Sequence, residues 1–196
     1  DVLIGTQMVT KGLDFDNVFL VGILDADMLL NRPDFRAYER SYQLMSQVAG
    51  RAGRQGKQGK VIVQTGDPDH WVLQLVGQHD YAQFYNNEII ERKNYHYPPY
   101  YKLISFTLKH ENIHTLDAAS QYLGELLKNI FKERVLGPEY PIIQKIRNKF
   151  LKTIKLKIEK NAPDLKVKEK IREIVDTFYT ESSYKKVQVV IDVDPL

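Results

Sequence analysis

The pair Pro98-Pro99, bracketed by Tyr97 and Tyr100, restricts this chain's possible folds more than any other feature. Two successive residues without amide hydrogens cannot continue a helix, and each pushes the residue before it out of the α region. A rigid break is therefore expected here. The pattern of apolar residues also changes character across it.

Ahead of the prolines, Val2 to Gln7, Val18 to Leu24 and Lys60 to Thr65 are short β-branched runs of the kind that form buried parallel strands. Between the second and third, Phe35, Tyr38, Tyr42, Met45 and Val48 recur every three or four positions, with Asp34 placed as an N-cap. This spacing predicts a helix from Asp34 to Ala49 and an α/β layer around it. A turn at Asp67-Pro68 leads to helical segments at Trp71 to Val76 and around Tyr81, Phe84, Tyr85, Ile89 and Ile90. Asp25 and Asp27 end an apolar run, as a magnesium-holding carboxylate would, but no Gly-x4-Gly-Lys-Ser/Thr phosphate loop accompanies them. They read as strand-end or interface carboxylates.

Beyond the prolines, Lys102 to Lys109 alternates as a strand, and Leu116, Leu123, Leu127 and Ile130 mark a helix. Pro141 to Ile146 and Phe150 to Ile158 read as two strands joined at Arg147-Asn148. A second helix carries Val167, Ile171, Ile174 and Phe178, and Val187 to Val193 is the last strand. The expected order is β-α-β-β-α-β, the split pattern of ferredoxin-like folds. Three segments are thus expected: 1–79, a connecting helix and hinge at 80–100, and an α+β domain at 101–196.

Charge separates the parts as well. Residues 1–79 carry eight basic and nine acidic side chains, whereas residues 80–196 carry 20 basic and 16 acidic ones. A polyanionic partner is therefore sought first in the second part. Within Lys145 to Lys160, seven cations face Glu159 alone. If the strand alternates, Phe150, Ile154, Leu156 and Ile158 face the core and Lys149, Lys155 and Lys157 face outward, where they could follow a phosphate backbone. An ordinary lysine-protected edge strand has the same pattern. Lys152 breaks the alternation and suggests a bulge or an edge. Tyr95, Tyr97, Tyr100 and Tyr101 could stack on unpaired bases or pack the hinge. The chain has no cysteine, so thiol chemistry and thiolate metal sites are excluded, and its histidines lack metal-ligand spacing. There is no apolar run long enough to cross a bilayer, and a cytoplasmic protein is expected.

Two blocks carry chemistry. Gln47-Val48-Ala49-Gly50-Arg51-Ala52-Gly53-Arg54 places two guanidiniums three residues apart at the end of the first long helix, where they are expected to share one helical face. Their planar forks suit a polyphosphate. Gly5-Thr6-Gln7-Met8-Val9-Thr10-Lys11-Gly12-Leu13-Asp14 is the other block. Together they resemble motifs V and VI of superfamily 2 helicases, and the wording is similar to that of the primosomal protein N′ (PriA) family of replication-restart helicases. Glu91-Arg92-Lys93, Tyr97-Pro98-Pro99-Tyr100 and Asp192-Val193-Asp194-Pro195 extend the resemblance over nearly the whole chain.

The resemblance implies that residues 1–79 are the distal part of a RecA-like helicase lobe. Arg54 would then be the arginine finger, supported by Arg51 and Gln47, with Gly12 and Asp14 close to the nucleotide. Thr6, Gln7, Thr10 and Lys11 would contact single-strand phosphates. The family implies ATP and magnesium in the complete protein, with zinc only in an upstream cysteine-rich insertion. This chain looks like a fragment beginning after that insertion and inactive alone. Branched or single-stranded DNA, other primosome proteins and the acidic tail of single-strand-binding protein are the implied partners, the tail near Lys166, Lys170 and Arg172. A bacterial, nucleoid-associated location follows. Another superfamily 2 fork-remodelling or repair helicase, or a non-catalytic DNA-binding module, is the alternative.

Overall fold

The computed structural model describes residues 2–5, 18–52 and 59–195. The chain divides into two compact units, residues 1–91 and 92–196.

In the first unit, β1 (Leu20–Ile23) pairs in parallel with β2 (Lys60–Val63), Leu20 opposite Lys60. Four helices follow the chain: α1 (Asp27–Leu30), α2 (Ala37–Ala49), α3 (Trp71–Gln78) and α4 (Tyr81–Asn94), whose last turn falls in the second unit. Their core is Ala26, Leu30, Tyr42, Met45, Val72, Leu75, Val76 and Phe84. Tyr42 stacks on Phe84 with ring centroids 4.3 Å apart. His79 ends α3 in the left-handed conformation, and the Asp80 carboxylate then accepts from the Gln83 amide at 2.9 Å to start α4.

Four expectations are corrected here. The strands are not buried on both faces: Val21, Ile23, Val61 and Val63 are half-buried, whereas Leu20 and Ile62 are exposed. Residues 2–5, expected in a strand, have no regular structure and are exposed. A continuous apolar run signals two-sided burial, but this sheet has only two strands among the described residues, with core on one side. Helix α2 also starts later than expected. Asp34 lies before it, accepting from the Arg36 amide at 3.0 Å and pairing with Arg40 at 2.6 Å. On α4 only Phe84 and Glu88 are buried, and Tyr81, Tyr85 and Ile90 are exposed.

The second unit is a sheet with two helices on one face. Its elements are β3 (Tyr101–His110), α5 (Ile113–Phe131), β4 (Val135–Glu139), β5 (Lys145–Ile146), β6 (Lys149–Glu159), α6 (Asp164–Thr180) and β7 (Gln188–Val193). The strands run β4-β6-β3-β7, each pair antiparallel, and β5 folds back on β6. The α5 N-terminus is capped by Asn112, whose side chain accepts from the Thr115 amide at 3.0 Å. Ile104, Phe106 and Leu108 of β3 and Ile154, Leu156 and Ile158 of β6 pack against Leu116, Leu123 and Leu127 of α5 and Ile171, Ile174 and Phe178 of α6. Ile130, expected to mark the buried face of α5, is exposed instead.

The strand expected at Pro141 to Ile146 is not there. Its role falls to β4, which the Gly137-Pro138 pair conceals in the sequence, because neither residue suits a strand interior. At Gly137 φ is +95°, and an added Cβ would lie 2.8 Å from the Thr153 carbonyl oxygen. The β4–β6 register shifts between Leu136 and Glu139 at this point. Only Lys145 and Ile146 of the expected strand pair with β6.

Candidate nucleic-acid interface

In the first unit, Gln47 is exposed on the last turn of α2. The helix stops at Ala49, and the Arg51 amide donates to the Val48 carbonyl at 3.1 Å, so half-buried Arg51 sits in the turn beyond it. This corrects the expectation that Arg51 rides on a helical face. Arg54, Thr6, Gln7, Thr10, Lys11, Gly12 and Asp14 lie outside the described residues. Asp27 closes the layer: its carboxylate accepts from the Thr65 hydroxyl at 2.6 Å and the Gly66 amide at 2.7 Å. Those two hydrogen bonds, Thr65 foremost, hold its pKa below the ordinary aspartate range. Asp25 accepts from the Met28 amide through its carbonyl at 3.2 Å and its side chain at 3.3 Å, which starts α1.

In the second unit, the lysines of β6 separate by sheet face. Ile154, Leu156 and Ile158 point into the core, while Lys155 and Lys157 occupy the opposite face. Strand β6 is not an edge, because β4 and β3 flank it, and its pairing with β3 is unbroken from Phe150 to Glu159. Lys152 pairs with Leu108 of β3 and lies just beyond Thr153, where the β4–β6 ladder with its register shift ends. It stands on the helix-bearing face, 2.8 Å from the Asp117 carboxylate of α5 and 4.6 Å from the centroid of the Tyr140 ring. The Tyr140 hydroxyl donates to the same carboxylate at 2.6 Å. Lys152 and then Tyr140 lower the Asp117 pKa, and Asp117 in turn raises that of Tyr140.

The three lysines expected to form a phosphate track are not equivalent. Lys157 donates to the Tyr95 carbonyl at 2.7 Å and lies 3.6 Å from the Tyr97 ring centroid; burial, then Lys155, lowers its pKa. Lys155 is paired with Glu139 at 2.9 Å. Lys149 lies at the foot of the β5–β6 turn, opposite Ile146. The four tyrosines divide similarly. Tyr97 lies under Lys157, Tyr101 meets His96 edge-on with centroids 4.6 Å apart, and Tyr95 and Tyr100 are exposed.

A different basic locus emerges from the ladder. The β5–β6 turn has positive φ at both Arg147 (46°) and Asn148 (65°), as a two-residue type I′ hairpin requires. Register places Lys109 opposite Leu151 on one side and Gln188 on the other. Lys145, Arg147 and Lys149 therefore share one end of the sheet with Lys109 and with exposed Lys185 and Lys186 just before β7. Acidic side chains at this end are Glu111 and Glu181, the latter accepting from the Ser183 amide and hydroxyl. Strand alternation alone could not reveal this grouping, since Lys109, Arg147 and Lys185 meet only through pairing of distant segments.

Lys166, Lys170 and Arg172 are exposed on α6, with Lys170 paired to Glu173 at 2.6 Å. Lys166 and Lys170 share a face; Arg172, two residues further, does not. Among the described residues no group of three His, Asp or Glu side chains converges as a metal site would need, and no helix is long and apolar enough to cross a membrane.

Comparison with known proteins adds the lineage. The family described as "Primosomal protein N C-terminal domain" matches residues 93–196. The chain is 39% identical over its whole length to the replication restart protein PriA of Bacillus subtilis, covering 24% of that protein. It is 37% identical to the PriA of Synechocystis (100% of the chain, 23% of the relative) and of Treponema pallidum (100% and 29%). The chain thus spans about a quarter of the length of these relatives.

Proposed function

The chain belongs to the primosomal protein N (PriA) family and aligns with its C-terminal part, and from that premise we propose that it serves an ATP-dependent 3′-to-5′ DNA helicase that restarts stalled forks and assembles the primosome. The observation carrying this reading is identity of 37–39% along the entire chain, both units included, to proteins named for replication restart. In this reading residues 1–79 are the distal part of a RecA-like lobe. Residues 101–196 are ferredoxin-like, which the element order and the strand path β4-β6-β3-β7 support.

The first unit would lend arginines to a nucleotide. Gln47 and Arg51 offer an amide and a guanidinium at one helix end, groups that can donate to an anionic phosphate. Asp27, the carboxylate nearest in kind to a magnesium ligand, is already engaged by Thr65 and Gly66. Magnesium would therefore be held by groups upstream of these, as would zinc. Arg54 is the proposed finger, for which charge neutralisation at the γ-phosphate supplies roughly 10³- to 10⁵-fold in rate in other phosphoryl-transfer enzymes. Thr6, Gln7, Thr10 and Lys11 would position single-strand phosphates, with Gly12 and Asp14 near the nucleotide.

The second unit would bind branched DNA through its basic end, and α6 would receive the acidic tail of single-strand-binding protein at Lys166 and Lys170. A cytoplasmic, nucleoid-associated setting accompanies that role. Two measurements test the proposal. In the complete protein, Arg54→Ala should abolish DNA-stimulated ATP hydrolysis while leaving DNA binding intact; unchanged turnover rejects the finger. The present chain should bind fork DNA with an affinity that falls as salt rises; salt-independent binding rejects the phosphate-contact reading.

A further inference from the structure

We infer that the β5–β6 hairpin is a wedge that enters a DNA branch point, its isoleucines against unstacked bases and its cations on the flanking phosphates. The inference rests on the DNA-binding reading above and assigns the contact to one element.

Ile142, Ile143 and Ile146 are 78%, 64% and 49% exposed, although they fall within five residues of one another. Lone exposed apolar side chains are ordinary, but three branched ones within a five-residue stretch that leads into one hairpin mark a contact surface. Their neighbours specify what that surface meets. Lys145 lies between Ile143 and Ile146, Arg147 and Lys149 follow just beyond, and no acidic residue occurs between Glu139 and Glu159. Apolar side chains that part base steps, beside cations that neutralise phosphates, are how proteins hold opened or kinked duplexes. Exposed isoleucine alone would suit a protein partner, but this density of uncompensated positive charge favours a polyanion that also offers flat apolar faces.

The wedge is pre-organised. Both turn residues are left-handed, the Leu151 amide donates to the Gln144 carbonyl at 2.8 Å, and the Lys145 ammonium lies 4.6 Å from the Phe150 ring centroid. From this turn β6 pairs without a break with β3 from Phe150 to Glu159, and from Thr153 onward β4 flanks its other side. Force on the tip is thus borne by the middle of the sheet. A tip held in its bound shape loses less conformational entropy on contact.

The test uses the full chain with a three-way fork and a blunt duplex of equal length, each carrying 2-aminopurine at or opposite the junction position. Parent protein should raise 2-aminopurine fluorescence at the fork and bind the fork more tightly than the duplex. Ile142→Ser/Ile143→Ser/Ile146→Ser should lose the fluorescence rise and about tenfold of the fork preference, the loss of one or two base contacts, with duplex affinity and salt slope retained. Lys145→Ala/Arg147→Ala/Lys149→Ala should weaken both DNAs and reduce the salt slope by about 2–3. Unchanged thermal unfolding verifies that the variants fold. Fork binding by the parent without a fluorescence rise, or an isoleucine variant that keeps both signal and preference, overturns the wedge while the DNA-binding reading stands. A parent that binds neither DNA overturns both. Loss confined to binding of anionic phosphatidylserine vesicles or of an acidic peptide, with DNA binding intact, assigns the hairpin to another partner and also overturns the proposal.

Discussion

The Lys157 ammonium lies 3.6 Å from the centroid of the Tyr97 ring and donates a hydrogen bond of 2.7 Å to the Tyr95 carbonyl. A lysine that sequence periodicity offers to DNA is thereby committed to the Tyr-Pro-Pro-Tyr segment. Replacing it with methionine keeps the apolar stem and removes the charge. Lys157→Met should destabilise the second unit by about 1–2 kcal/mol in denaturant titration and leave fork affinity within about twofold, since it removes no phosphate contact. A large loss of DNA affinity with unchanged stability would return Lys157 to the interface.

Lys152, Asp117 and Tyr140 form a second local network, with Lys152 14% and Asp117 43% exposed at the side chain. Because Asp117 is more than a third exposed, its coupling to Lys152 should be modest, about 1 kcal/mol or less in a double-mutant cycle with Lys152→Met and Asp117→Asn. Its pKa is lowered by Lys152 first and Tyr140 second. The stabilisation is therefore present above the unfolded aspartate pKa and lost as pH falls through the lower folded value. The Asp117→Asn variant should show a shallower loss of stability on acidification than the parent. Tyr140 acts at the other extreme: its raised pKa makes its contribution vanish as pH rises beyond the ordinary tyrosine range. Unfolding free energies measured across acid and alkaline pH check both signs.

Gly137 occupies a position where φ is +95° and an added Cβ would be 2.8 Å from backbone oxygen of Thr153. Neither the left-handed backbone nor strand β6 can yield cheaply. Gly137→Ala should cost about 1–3 kcal/mol, seen as a lower denaturation midpoint with unchanged slope. A neutral effect would mean that β4 adjusts its register without penalty.

The basic end of the sheet predicts which cations carry salt dependence. Arg147→Ala and the Lys185→Ala/Lys186→Ala pair should each reduce the salt slope of fork binding by about 0.7–0.9 per phosphate contact removed. Lys155→Ala should change it little, because Glu139 already neutralises that side chain. Fluorescence anisotropy at several salt concentrations distinguishes these outcomes.

Much of the second unit was legible because apolar period and burial agree there. Leu116, Leu123, Leu127, Ile171, Ile174 and Phe178 are spaced as helical stripes and all are buried. The hairpin at Arg147-Asn148 was legible for a similar local reason, a polar pair between two runs. Strand β4 was not, because Gly137 and Pro138 oppose a strand locally and only pairing with β6 overrides them. Lys152 misled because alternation was assumed to sort charge from core, whereas Asp117, distant in sequence, makes a lysine acceptable on the inner face. In the first unit the positions of β1, β2 and α2 could be read, but not which strand faces remain open.

By itself the sequence determined the apolar periods, the end of a helix before Pro98-Pro99, the motif wording that carries family membership and the excess of cations beyond residue 80. These are properties of neighbours along the chain, set by backbone sterics and residue chemistry. Only the tertiary structure decided which of those cations are available. Lys152, Lys155 and Lys157 are each engaged locally, while strand pairing gathers Lys109, Arg147 and Lys185 at one end of the sheet. A charge acquires its partner through register and packing between distant segments, and that information resides in the fold as a whole.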